Sequence, residues 1–173
     1  MADGLELDRV LWIPAGLPPH KSLGALSPAA VRLEMVRAAI VSDPRFEAST
    51  LETERPGRSY TVDTVRAVRT RLPDAELFLI MGADQFREFD RWRAPEEILR
   101  HAQLAVMDRE GESAERLAET VLGGHEALFV PVRRVDISST AVRGAVRQGR
   151  DIGGWVAAGV ASIIEREGLY SGA

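Results

Sequence analysis

Four polar clusters in this 173-residue chain hold residue types suited to phosphate, ribose or a charged ring. In the first, Pro14, Pro18 and Pro19 stiffen a loop that ends in His20 and Lys21, two adjacent phosphate contacts. The second, Arg58-Ser59-Tyr60-Thr61-Val62-Asp63-Thr64, opens a helix. Unpaired N–H groups and the positive end of the helix dipole suit such a place to a carboxylate or phosphate. The third joins Gly82-Ala83-Asp84 to Arg91-Trp92-Arg93. Gly82 lets a ligand approach the backbone, and Asp84 can accept hydrogen bonds from ribose hydroxyls. Trp92, set between two arginines, offers a flat face to a cationic heteroaromatic ring. In the fourth, Ile137-Ser138-Ser139-Thr140 with Arg143 one turn further in can gather N–H groups, hydroxyls and a guanidinium on one polyphosphate.

Each cluster has a plainer alternative: a surface turn, a simple N-cap, an indole packed under the next helix, a capping run with a solvated arginine. Taken singly, none decides between the two. The other histidines, His101 and His125, read as structural or exposed. No two of the three histidines have the spacing of a paired helical site. No serine stands in a Gly-x-Ser-x-Gly elbow, and the acidic residues form no recognisable metal cluster. No catalytic residue and no metal ligand is therefore singled out.

The elements that must position these clusters alternate along the chain. Segments 9–13, 77–81, 103–107 and 127–132 read as strands, with 46–51 a weaker one. The unbroken run Leu77-Phe78-Leu79-Ile80-Met81 suits a strand covered on both faces. One helix is expected after Ser27, acting as cap, with Pro28 at the first helical position. Others are expected over 59–72, 95–100, 113–122, 139–147 and 155–166, with Gly168 as the residue that ends the last. The pattern predicts one α/β domain over 1–173, with a Rossmann-like, mainly parallel sheet and helices on both faces. Such sheets bind ligands at the carboxyl ends of their strands, where the clusters fall.

Composition removes several classes of function. With no cysteine there is no disulfide, thiolate nucleophile or zinc finger. A net charge of -4 argues against a nonspecific nucleic-acid binder. No apolar run approaches the roughly 18–20 residues of a membrane span, and the acidic start, Met1 to Glu6, lacks the layout of a signal peptide. The expectation is a soluble, cytoplasmic protein with neither nucleic acid nor membrane as partner; homo-oligomerisation is left open.

Taken in order, the clusters resemble the bacterial nicotinate-nucleotide adenylyltransferases of the nucleotidyltransferase superfamily. The resemblance runs through Ile13-Pro14 with Pro18-Pro19-His20-Lys21, Ser59 to Thr64, Gly82-Ala83-Asp84 with Phe86, Trp92 and Ile98, and Ile137 to Thr140 with Arg143. It closes on Gly168-Leu169-Tyr170. It implies transfer of AMP from ATP, carried with Mg2+, to nicotinate mononucleotide, giving nicotinate adenine dinucleotide and pyrophosphate. It also implies roles. Trp92 would stack on the pyridinium, and Thr61 and Arg93 would receive the carboxylate in a pocket shaped by Tyr60. His20 and Lys21 would lie near the phosphates, with Gly82 and Asp84 at the nucleotide. Ser139, Thr140 and Arg143 would hold the ATP phosphates.

Part of the family's pattern, an opening strand followed by a Gly-rich turn and a His-x-x-His helix start, has no counterpart in this sequence. The expectation is a domain without its first strand, from a misassigned or truncated start. An inactive nucleotide-binding remnant and a sister adenylyltransferase with another acceptor are the competing readings.

Overall fold

The computed structural model describes residues 1–18, 26–108, 126–133 and 135–171. In chain order the elements are β1 (Val10–Trp12), α1 (Ala29–Ile40), β2 (Phe46–Ala48), α2 (Thr61–Arg71), β3 (Phe78–Gly82) and α3 (Ala83–Arg87). After a 3-10 turn (Phe89–Arg91) come α4 (Pro95–His101), β4 (Gln103–Asp108), β5 (Ala127–Pro131), α5 (Ser139–Arg147) and α6 (Ala158–Arg166). These gather into two compact units, Met1–Leu7 with Ser59–Arg134 and Asp8–Arg58 with Val135–Ala173.

All strand pairing between these elements is parallel, as the alternation of strands and helices requires. It falls into two ladders rather than one continuous sheet: β1 with β2, and β3-β4-β5. In the first unit β4 is central, and Leu104, Ala105 and Val106 are fully buried. The continuous apolar run at 77–81 is a correction to expectation. Only Met81 of β3 is buried, because β3 lies at the edge of its ladder and β4 occupies the doubly covered place. Phe86, Phe89 and Ile98 complete the core together with Val62 and Val65 of α2. Phe86 meets Phe129 of β5 edge-on at 5.4 Å, the offset that ring quadrupoles favour.

Three contacts, in the same order along both segments, join the region of α2 to that of α4. The Arg93 guanidinium, just before α4, lies 4.5 Å over the ring of Tyr60, at the cap of α2. One turn further on, Arg66 takes both carboxylate oxygens of Glu97 in a bidentate fork and also pairs with Asp63 at 3.1 Å. Near the far end Arg69 donates to the carbonyls of Pro73 (3.0 Å), Ala75 (2.7 Å) and His101 (2.7 Å). Helix carboxyl ends leave carbonyls without intrahelical partners. Arg69 satisfies one such group, at His101 of α4, together with carbonyls of the segment that follows α2.

In the second unit α1 packs on β2 and α6. A Cβ placed on Gly159 would stand 3.1 Å from the Cβ of Ala38, so glycine permits the close approach of α6 to α1. Val142, Ala145, Ile152 and Ile164 form the core here. Gly168, with φ of 58°, ends α6 as expected: its N–H reaches the Glu165 carbonyl, and that of Leu169 reaches Ile164. This is the paired bond pattern of a Schellman cap.

Two local expectations fail. Ser27 does not cap α1, because Pro28 itself occupies the cap position at φ -49° and ψ 142°. The Ser27 hydroxyl donates instead to that of Tyr170 at 3.1 Å. The last helix starts at Ala158 rather than 155, with Trp155 and Val156 in the preceding turn. The weak strand at 46–51 is only three residues long. The helix expected over 113–122 lies outside the described residues.

Replacing Arg69 by alanine strips charged donors from three carbonyls and should cost about 1–3 kcal/mol in urea unfolding. Lysine should recover little, since one ammonium cannot reproduce the planar fork. Stability equal to wild type in Arg69→Ala would show that water satisfies these carbonyls equally well.

Candidate functional site

Tyr60 stands in extended conformation at the amino end of α2, and its carbonyl accepts from the N–H groups of Asp63 (3.1 Å) and Thr64 (3.3 Å). The Tyr60 side chain makes no capping hydrogen bond. The dipole places partial positive charge at the opening amides of the helix. Thr61 is the first helical residue, and Ser59 before it is buried. Arg93 lies over Tyr60, so the structure brings together two residues that are distant in sequence.

Trp92 is half-buried. Its ring centroid lies 5.5 Å from that of Phe89 at a tilt of 54°, and its backbone N–H donates to the Phe89 carbonyl at 3.0 Å. The indole packs against the core and is only partly covered there. Ala94 then adopts a left-handed conformation (φ 51°, ψ 58°) and Pro95 opens α4. A non-glycine residue there costs roughly 1–2 kcal/mol. Nothing in the sequence marks Ala94, although the proline after it disfavours the ordinary helical alternative.

Gly82 ends β3 and caps α3. A Cβ added there would meet nothing within 4 Å, which leaves open space beside the backbone at the carboxyl edge of the ladder. Asp84 follows in the first turn of α3, its side chain 92% exposed and paired with Arg87 at 2.9 Å. An ion pair this exposed holds its carboxylate weakly, so ribose hydroxyls can compete for it.

The second unit carries the hydroxyl cluster. Ser138 is the cap of α5 and accepts from the Ala141 N–H at 3.1 Å. Ser139 and Thr140 are exposed in the first turn, and Arg143 donates to the Thr140 hydroxyl at 3.3 Å. Of the three hydroxyls, then, that of Ser138 serves the helix and that of Thr140 meets the guanidinium. His20 and Lys21 lie outside the described residues. The carbonyls of Ala15, Gly16 and Ser27, from the segments before and after them, all accept from Arg32 of α1. Arg32 attracted no notice in the sequence, because a fork onto main-chain carbonyls has no side-chain partner to signal it.

Arg66 holds the Glu97 carboxyl below the ordinary carboxylate range, chiefly through its hydrogen bonds. Arg45 does the same for Asp43 at the turn into β2. Among the described residues no group of three or more histidine, aspartate or glutamate side chains converges as a metal site. Nor is any described helix long and apolar enough to cross a membrane.

Comparison with known proteins places this geometry in context. A family model described as cytidylyltransferase-like matches residues 1–145. A probable nicotinate-nucleotide adenylyltransferase of Thermus thermophilus is 43% identical over 166 residues, which covers 96% of this chain and 85% of that protein. One from Citrifermentans bemidjiense is 36% identical, with 97% and 87% covered. Among solved structures, the Plasmodium falciparum nicotinic acid mononucleotide adenylyltransferase complexed with NaAD matches with a TM-score of 0.75 at 15% identity, covering 95% of this chain and 83% of that one. A Vibrio parahaemolyticus structure titled as a putative enzyme of that kind matches at 0.68 and 22% identity. At such identities the structural likeness establishes the α/β nucleotidyltransferase fold.

Glu97→Gln should alter how stability depends on pH. With the Glu97 pKa lowered in the folded chain, the contribution of the pair is complete above the ordinary carboxylate range and is lost as pH falls through the lowered value. The variant should therefore show a flatter acid limb in unfolding free energy against pH. An unchanged limb would mean that the pair adds nothing to folding.

Proposed function

The chain belongs to the family of nicotinate-nucleotide adenylyltransferases, and we propose that it transfers AMP from MgATP to nicotinate mononucleotide in NAD biosynthesis. An oxygen of the mononucleotide phosphate attacks the α-phosphorus of ATP. The bond from that phosphorus to the bridging oxygen breaks, and pyrophosphate leaves with nicotinate adenine dinucleotide as the other product. No covalent intermediate with the protein is needed, so its work is positioning and charge stabilisation. Mg2+ enters as the counter-ion of ATP and is part of that substrate.

The observation that carries this reading is the grouping of Trp92, Arg93 and Tyr60 beside the start of α2. A flat indole with free surface suits a pyridinium, whose positive charge is attracted to the ring face. The amides at Thr61 and the cation at Arg93 suit the carboxylate on that same ring. A neutral or aliphatic acceptor would have use for neither, which disfavours a sister enzyme with a different acceptor. Gly82 lets the nucleotide lie against the backbone, and Asp84 takes its sugar hydroxyls. Ser139, Thr140 and Arg143 hold the ATP phosphates and the departing pyrophosphate, with His20 and Lys21 as further phosphate contacts. This chemistry fits a cytoplasmic enzyme acting on soluble nucleotides.

Purified chain supplied with MgATP and nicotinate mononucleotide should release pyrophosphate, and omitting either substrate should abolish it. Calorimetric binding of the mononucleotide without pyrophosphate release would mark a binding module; absence of both would refute the reading. Within it, Trp92→Ala should weaken mononucleotide binding by about 0.5–2 kcal/mol, the worth of a cation–π contact, with little change in the KM for ATP. Arg143→Ala should show the opposite split. Gly82→Ala should fold as wild type, since its φ of -81° and open surroundings accept a methyl group, yet bind nucleotide less tightly.

A further inference from the structure

The three contacts between α2 and α4 differ in what they can hold. Arg93 on Tyr60 is a soft contact made by an exposed side chain, and Arg69 acts at the carboxyl ends of both helices. Between positions 60 and 69 a helix rises about 13 Å, so Arg69 has little leverage on the start of α2. Arg66 with Glu97 is an ion pair that ties α2 directly to α4, with Glu97 four residues after Arg93. Glu97 lies in the first turn of α4, and its N–H donates to the carbonyl of Ala94 at 3.1 Å. Ala94 is the residue held at positive φ, and such backbone persists only where its surroundings over-determine it. A bidentate fork with a second carboxylate, Asp63, on the same guanidinium constrains distance and orientation more than a single contact would. As an exposed pair it adds little to stability. Its main effect is on geometry.

We propose that Arg66 and Glu97 are positioning residues for the acceptor side of the site: their ion pair sets the separation between the start of α2 and the Trp92-Arg93 segment. The identity of the ring that binds there rests on the function proposed above; the ion pair and the segments it joins belong to this chain alone.

The test uses the full chain carrying Trp12→Phe and Trp155→Phe, both at partly exposed positions, which leaves Trp92 as the one indole among the three tryptophans. In that background Glu97→Gln should increase acrylamide quenching of Trp92. Arg66→Met should give the same increase, and the double variant no more than either alone, because all three break one tie. With wild-type tryptophans, Glu97→Gln should raise the KM for nicotinate mononucleotide about two- to five-fold, the size an exposed ion pair supports, while the KM for ATP stays unchanged. Unaltered quenching in both single variants would overturn the proposal, as would a parallel rise in both KM values. If wild-type chain releases no pyrophosphate, the proposed function fails, and the quenching comparison still decides the positioning role.

Discussion

A strand bonded along both edges and buried through its middle leaves its neighbours no freedom of register, and β4 is that strand. Both partners are apolar along their length, so a slip of either by one residue would set apolar side chains of different size and shape against a close-packed strand. With Leu79 opposite Leu104 and Ala105 opposite Leu128, the carboxyl ends of β3, β4 and β5 fall on one edge at Gly82, Asp108 and Pro131. The open backbone at Gly82 and the short helix carrying Asp84 follow from that registration. So does the place of Phe86 and Phe89, whose burial holds the polypeptide that ends in Trp92.

Arginine handles the polar remainder of the fold. Arg69 and Arg32 each collect main-chain carbonyls, those of Ala75 and His101 in one case and those of Gly16 and Ser27 in the other. Arg166 joins α6 to α1 through Glu34 at 2.7 Å. A planar fork can satisfy two or three acceptors at once where a lysine ammonium would satisfy them loosely. The surface of this chain is accordingly held by side chains that set orientation, with most of the stabilisation supplied by the two apolar cores.

The two groups of candidate residues differ in how far they are formed. Around Tyr60 the aromatic and cationic groups already touch, and Trp92 is held on one side by Phe89. Little conformational entropy remains to be lost there when a ring binds. At the start of α5, Ser139 and Thr140 are exposed and only Arg143 reaches back to a hydroxyl. That arrangement suits a polyphosphate, whose affinity comes from several charge-assisted bonds rather than from one shaped pocket.

The strands at 9–13, 103–107 and 127–132, the helix starting near Thr61 and the glycine ending α6 could be read from the amino-acid order. Their signals are local: apolar runs of strand length, helical periodicity, and a residue able to take positive φ. The clusters around Tyr60, Trp92 and Ser139 were legible for the same reason, since hydroxyls, arginines and an indole in polar stretches stand out as residue types. Tertiary structure alone decided that β4 and not β3 is covered on both faces, that Ser27 bonds Tyr170 instead of capping α1, and that Arg93 settles on Tyr60. It also decided that Ala94 takes a left-handed turn and that Arg66 meets Glu97. Each of these depends on groups more than 20 residues apart or on strain that other contacts must hold, and nearest-neighbour patterns carry no record of either.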